Sequence, residues 1–109
     1  MELNIPPASL RRLLTLYETI LGMTKRYIAE QKLPLTVEQL MVLMCVHDQG
    51  IVCQQEVATI IRRDKSAVHR SVIHLTAMGM VQIRRDQSDK RRNLLLLTDL
   101  GREVSEKFA

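Results

Sequence analysis

Residues 84–92 constrain this chain most: they read Arg-Arg-Asp-Gln-Ser-Asp-Lys-Arg-Arg, five basic residues among nine, with an apolar run on each side. Before them, Met80-Val81-Gln82-Ile83 alternates at the strand period. After them, Asn93-Leu94-Leu95-Leu96-Leu97 is a short apolar run closed by Thr98. Two such runs around a polar segment predict a β-hairpin with a charged tip. The tip would carry Arg84, Arg85, Lys90, Arg91 and Arg92, with Asp86 and Asp89 placed to orient them. A tip of this kind is built to meet an anion, and a nucleic-acid backbone is the leading candidate.

Composition bounds the rest. A chain of 109 residues with 46% hydrophobic content is one folded domain with a small core, here taken as residues 1–109. The net charge of +4 is modest, but ten of the 16 Lys and Arg residues fall between Arg62 and Arg102, so their clustering matters more than their total. Aromatic residues make up only 3%, which argues against stacking platforms for single strands or RNA. Met1-Glu2-Leu3-Asn4 lacks a basic and an apolar leader region, so no secretory signal is expected. No apolar run approaches transmembrane length, and two cysteines without a framework suit a reducing compartment. A cytoplasmic protein without a membrane partner is expected.

Pro6-Pro7 marks an extended entry, and Ser9 is expected to cap a helix over about residues 9–32. Its apolar residues form two seams. Leu10, Leu14, Tyr17, Leu21 and Ile28 make one; Leu13, Leu16, Ile20, Met23 and Tyr27 make the other. One stripe suffices to dock a helix on its own domain, so a second suggests contact with another subunit. The competing expectation is a helix buried deep in its own fold. Thr36-Val37-Glu38-Gln39 has the form of a capping box, and the helix it opens closes at Asp48-Gln49-Gly50. Ile51-Val52-Cys53 allows only a minor strand. A short helix over 54–61 follows, with Val57, Ala58 and Ile61 inward. After Arg62-Arg63-Asp64, a further helix runs from Lys65 to about Met78, capped by Asp64, with Val68, Val72, Leu75 and Met78 as its apolar stripe and Gly79 as its stop. A last short helix from Leu100 to Phe108 would be capped by Thr98.

Two short helices joined by a tight turn and followed by a hairpin give the order of a winged helix-turn-helix, mainly α with a small β-hairpin. A helix enters the major groove only if one face packs on the domain and the opposite face is small, polar and basic. Opposite Val68, Val72 and Leu75, the helix from Lys65 carries Ser66, His69, Arg70 and His74. Ser66 permits close approach to phosphates and base edges, and Arg70 can grip a guanine with both prongs of its guanidinium. An ordinary solvated surface is the plain reading of Ser66 or His74 alone. The whole face beside a basic hairpin points to DNA.

Several segments in order resemble the MarR family of bacterial transcription regulators. They are Leu35-Thr36-Val37-Glu38-Gln39-Leu40, Asp64-Lys65-Ser66-Ala67-Val68, Leu75-Thr76-Ala77-Met78-Gly79-Met80-Val81, Asp89-Lys90-Arg91 and Leu97-Thr98-Asp99-Leu100-Gly101. The resemblance implies a homodimeric regulator on a pseudo-palindromic duplex operator, with the helix from Lys65 in the major groove. It further implies that Arg91 enters the minor groove, oriented by a salt bridge from Asp89. Arg92 stands where the family often has a smaller residue. The family usually continues through a longer fifth helix and a sixth that help form the dimer. Here most of the interface is expected from the first helix, through Leu13, Leu16, Ile20, Met23 and Tyr27. The family's usual small-molecule cleft makes an effector a partner that the resemblance allows without requiring it.

Other chemistry finds little footing. Ser and His residues occur without a nucleophile motif, so no enzyme is expected. His47, His69, His74, Cys45 and Cys53 lack zinc spacing, so neither a metal nor a cofactor is expected. Cys45 reads as a core residue. Cys53, beside Gln54 and Gln55, reads as more exposed, but neither cysteine has an activating base beside it in sequence. Leu94 and Leu96 would face away from Leu95 and Leu97, and an all-leucine strand suggests burial on both faces, against a partner. With the six methionines, this supports an alternative, a winged-helix module that binds protein rather than DNA. The basic hairpin argues against it.

Overall fold

The computed structural model describes residue 4 and residues 6–109. Met1, Glu2 and Leu3, over which no secretory leader is expected, lie outside the described residues. By its contacts the chain divides into two compact units, the first ending at Val37 and the second running Glu38–Ala109.

The first unit is built on one long helix, α1 (Pro7–Glu30). Pro7 stands at the helix start, where its fixed φ suits the helix and its missing N–H costs nothing. Ser9 is therefore not the cap. It lies inside the first turn, and Pro6 occupies the cap position without a side-chain hydrogen bond. The helix ends in a Schellman motif: Lys32 takes φ 55°, its N–H donates to the Ala29 carbonyl at 3.0 Å, and the Leu33 N–H donates to Ile28 at 3.2 Å. Leu10, Leu13, Leu14, Leu16, Tyr17, Ile20, Met23 and Tyr27 are all exposed, whereas Ile28 is buried. Residues of both seams are exposed.

The second unit takes in all of α2 (Val37–Gln49) but its first residue; α2 opens directly after Thr36 and buries Leu40, Val42, Leu43, Cys45 and Val46. Gly50 stops it at φ 81°, a conformation that favours glycine, with its N–H on the Val46 carbonyl at 2.8 Å. Then follow β1 (Val52–Cys53), α3 (Gln54–Ile61), α4 (Lys65–Ala77), β2 (Val81–Arg85), β3 (Asn93–Leu97) and α5 (Asp99–Glu106). The strands form one antiparallel sheet in the order β1-β3-β2, with Leu95 opposite Val52 on one side and Ile83 on the other.

That order explains the leucine run. β3 is the central strand, so Leu95 is fully buried while Leu94, Leu96 and Leu97 are half-buried. Burial on both faces holds only in part, and the neighbour that covers the far edge of β3 is this chain's own β1. Leu43, Val46, Val57, Val68, Val72, Leu75 and Leu95 form the core, each fully buried. Such a side chain contributes about 1.5–3 kcal/mol by leaving water.

α5 is locked to the sheet by two residues. The Thr98 hydroxyl accepts the Gly101 N–H at 3.0 Å and donates to the Gly79 carbonyl at 2.5 Å. A Cβ at Gly101 would collide with the Met80 carbonyl oxygen, so this close approach demands glycine. No helix among the described residues is long and apolar enough to cross a membrane.

Candidate nucleic-acid interface

α3 and α4 pack together, joined by Arg62-Arg63-Asp64. Arg62 takes the left-handed conformation, φ 56°, and the Arg63 N–H closes α3 on the Ala58 carbonyl at 3.1 Å. Asp64 then caps α4, its carboxylate accepting the Ala67 N–H at 2.9 Å. Gly79, at φ 74°, ends α4 with the Met80 N–H on the Leu75 carbonyl at 2.9 Å. These caps set where α4 begins and ends, and so which side chains face out.

Val68, Val72 and Leu75 face the core, joined by Ala67 and Ser71. Lys65, Ser66, His69, Arg70 and His74 are exposed, as the spacing predicts. One residue of this surface was missed. Ile73 is 50% exposed, three positions after Arg70 and four after His69. The signal was legible: an isoleucine off the inward stripe at helical spacing from two exposed polar residues.

Both histidines are held by glutamines. His69 Nδ1 lies 3.2 Å from Gln54 Oε1 and 3.4 Å from Gln54 Nε2 on α3. His74 Nδ1 lies 3.3 Å from Gln39 Nε2 on α2. Each glutamine fixes its imidazole's orientation, and the bond at Nδ1 leaves Nε2 to face outward.

The wing is shorter at its tip than the charge run suggests. β2 continues through Arg84 and Arg85, which pair with Leu94 and Asn93 and are exposed strand residues rather than tip residues. The tip spans 86–92, closed by the Asp86 N–H on the Arg92 carbonyl at 2.9 Å. Ser88 donates its N–H and hydroxyl to Asp86 Oδ1 at 2.9 and 2.7 Å. The Ser88 hydroxyl chiefly, then its amide, holds the Asp86 carboxyl below the usual range. Asp89 Oδ1 accepts both the Arg91 N–H, at 3.1 Å, and its Nε–H, at 3.3 Å. The Arg91 side chain is otherwise 92% exposed, and Lys90 is exposed beside it.

Arg92 behaves differently. Its Nη2 lies 2.7 Å from Glu56 Oε1 on α3, and its Nε lies 4.0 Å from Asp86 Oδ2. The same Glu56 oxygen accepts the Cys53 thiol at 2.9 Å, the main cause holding the Glu56 carboxyl below its ordinary value, with Arg92 adding to it. Cys53 is thus buried, contrary to expectation, because β1 pairs it with Leu94. Cys45 is buried as expected, and desolvation pushes its thiol up, away from reactivity. Glu56 went unnoticed in the sequence, where nothing local marks it. An open groove of about 1010 Å³ lies between α3, the start of α4 and the wing, lined in part by Gln54, Gln55, Thr59, Lys65, His69 and Arg91.

A helix-turn-helix, a basic hairpin and a groove between them are the parts of a winged helix. The model of the MarR family matches residues 35–92, more than half of the chain. The chain belongs to the MarR family. The match runs from just before α2 to the end of the wing tip. Solved structures share the fold. Wild-type MarR from E. coli in its apo form superposes with a TM-score of 0.79 at 23% identity, over 97% of this chain and 75% of that one. Streptococcus pneumoniae FabT in complex with DNA gives 0.86 at 16% identity, over 93% and 71%. Bordetella bronchiseptica BpsR, described with regulation of its DNA binding by 6-hydroxynicotinic acid, gives 0.77 at 24% identity, over 99% and 74%. A search of curated proteins finds no match. In this MarR-family chain α3 and α4 are the helix-turn-helix and β2–β3 the wing.

Proposed function

We propose that this MarR-family chain is a transcription regulator that binds duplex DNA sequence-specifically as a homodimer, without enzymatic activity, in the cytoplasm. The carrying observation is that Lys65 and His69 on the outward face of α4 and the 92% exposed Arg91 side chain border one groove. Ser66, His69, Arg70 and His74 read base edges in the major groove, with Ile73 suited to a thymine methyl. Lys65 meets phosphate at the helix start, where backbone amides also favour an anion. Lys90 and Arg91 serve the minor groove, oriented by Asp89. Arg84 and Arg85 add positive charge on β2 beside the phosphate backbone. FabT solved with DNA, and a mutant MarR from E. coli solved with operator DNA, support the reading by precedent.

The homodimer rests on α1. Leu13, Leu16, Ile20, Met23 and Tyr27 line an exposed seam that water does not favour. A two-fold axis through such a contact presents two equivalent α4 helices and calls for half-sites about one helical turn apart. A small-molecule effector belongs to the reading only on the precedent of BpsR. Selection of bound duplexes from a random library tests the whole. Pseudo-palindromic sites bound at ~10⁻⁸ M or tighter are expected at physiological salt. A monomer in sedimentation at micromolar protein, with no shift on adding duplex, would sink it.

A further inference from the structure

We propose that Glu56 and Arg92 form a strut that holds the wing against α3 and thereby aims Arg91 at DNA, so that Arg92 is a positioning residue rather than a DNA contact. The inference rests on the DNA-binding reading above and names a device within it.

Adjacent arginines of the tip have opposite surroundings. Arg91 is bonded to Asp89 through its backbone amide and its guanidinium Nε, and its side chain is 92% exposed. Arg92 reaches across 36 positions of sequence to Glu56 Oε1 at 2.7 Å, while Asp86 stands 4.0 Å from its Nε. Two carboxylates already offset its charge, and its planar fork is engaged. A phosphate would meet a guanidinium whose charge these carboxylates already share, unlike that of Arg91. Glu56 is itself pinned, because its Oε1 accepts the Cys53 thiol at 2.9 Å and Cys53 is buried in β1. The tip is tied back from the other side by the Asp86 N–H on the Arg92 carbonyl. One node therefore joins β1, α3 and the wing.

Charge makes the same point. Glu56 lines the groove that also holds Lys65, His69 and Arg91. A carboxylate there repels a phosphate backbone, so on charge alone it weakens binding. Its place is explained if it orients the wing. Both partners are about half exposed, and exposed pairs add little to stability. The strut should be read in wing order and in binding rather than in melting.

The test compares Glu56→Gln, Arg92→Gln and the double variant in the full chain. Exchange of the Asp86 and Arg92 amides is followed in the free protein, and duplex binding is followed against salt. The strut predicts that each single variant speeds exchange of those amides by about twofold to fivefold, the range that exposed pairs reach. It predicts weaker binding by a similar factor, with an unchanged salt slope and a reduced preference for A·T-rich flanks. The double variant should be no worse than either single one, because both remove the same pair. Tighter binding by Glu56→Gln would overturn the strut, since the carboxylate would then only repel. So would a salt slope lowered by about one in Arg92→Gln with amide exchange unchanged, which marks a phosphate contact. If the native protein bound no duplex, the DNA-binding reading would fall, while the exchange measurement would still decide whether the strut exists.

Discussion

At the scale of single residues, the proposed interface divides into groups that attach and groups that read. Arg91 is oriented by Asp89 through its guanidinium Nε while its side chain stays 92% exposed. Arg91→Ala should weaken binding to every duplex and flatten the log-log salt dependence by about one. The loss should be largest on A·T-rich flanks, where a narrow minor groove attracts arginine. Binding titrations at several salt concentrations check this, and an unchanged affinity would remove the wing from the mechanism. Arg70 and Lys65 should separate in the opposite way. Arg70→Ala should cost roughly 1–3 kcal/mol at one base position, whereas Lys65→Ala should weaken all sequences alike. A site library scored with each variant makes the comparison; an even loss for Arg70→Ala would make it a backbone contact.

At the scale of elements, the wing and α5 depend on different forces. The wing is ordered by ionised carboxylates. Asp86 is held below the usual carboxylate range chiefly by the Ser88 hydroxyl, and Glu56 chiefly by the Cys53 thiol. A depressed folded value means that the contribution is fully present above the ordinary range and is lost as pH falls through the folded value. Wing order should therefore persist at neutral pH and fade in acid below the usual carboxylate range. Ser88→Ala should move the Asp86 midpoint back up, as read from its carboxyl carbon resonance; an unmoved midpoint would dismiss the Ser88 bond as its cause. α5 depends on close packing. Gly101→Ala drives a methyl into the Met80 carbonyl oxygen, which is backbone and yields poorly. Overpacking of this kind costs about 1–3 kcal/mol, to be read from denaturant midpoints. No change in midpoint would mean that α5 can shift freely.

At the scale of the whole molecule, α1 carries the proposed assembly. Ile20 is 53% exposed and Met23 62% on the seam proposed for the dimer. Ile20→Asp would bury an unpaired carboxylate in that interface, at a cost of several kcal/mol. It should dissociate the dimer and weaken operator binding while the monomer stays helical. Leu14→Asp tests the other seam, since Leu14 is exposed too. Sedimentation equilibrium with circular dichroism distinguishes the outcomes. A dimer of unchanged dissociation constant in both variants would place the interface elsewhere, with the half-buried Leu94 and Leu96 next in line.

Features set by near neighbours along the chain were determined by the sequence alone. The span of α3, the Asp64 and Thr98 caps, the stops at Gly50 and Gly79 and the outward face of α4 all follow from helical period and capping. The hairpin follows from strand period on either side of a polar run. The seams of α1 were legible as well, although its start was not, because Pro7 outcompetes the Ser9 cap. Tertiary structure decided what needed distant partners. Only the sheet order makes β3 central and buries Cys53 against it. Only the approach of α3 to the wing gives Arg92 its partner Glu56, and so separates two adjacent arginines that look alike in sequence. Periodicity reports which face of an element is apolar. Which charged side chain meets which is fixed only when elements far apart in the chain are packed together.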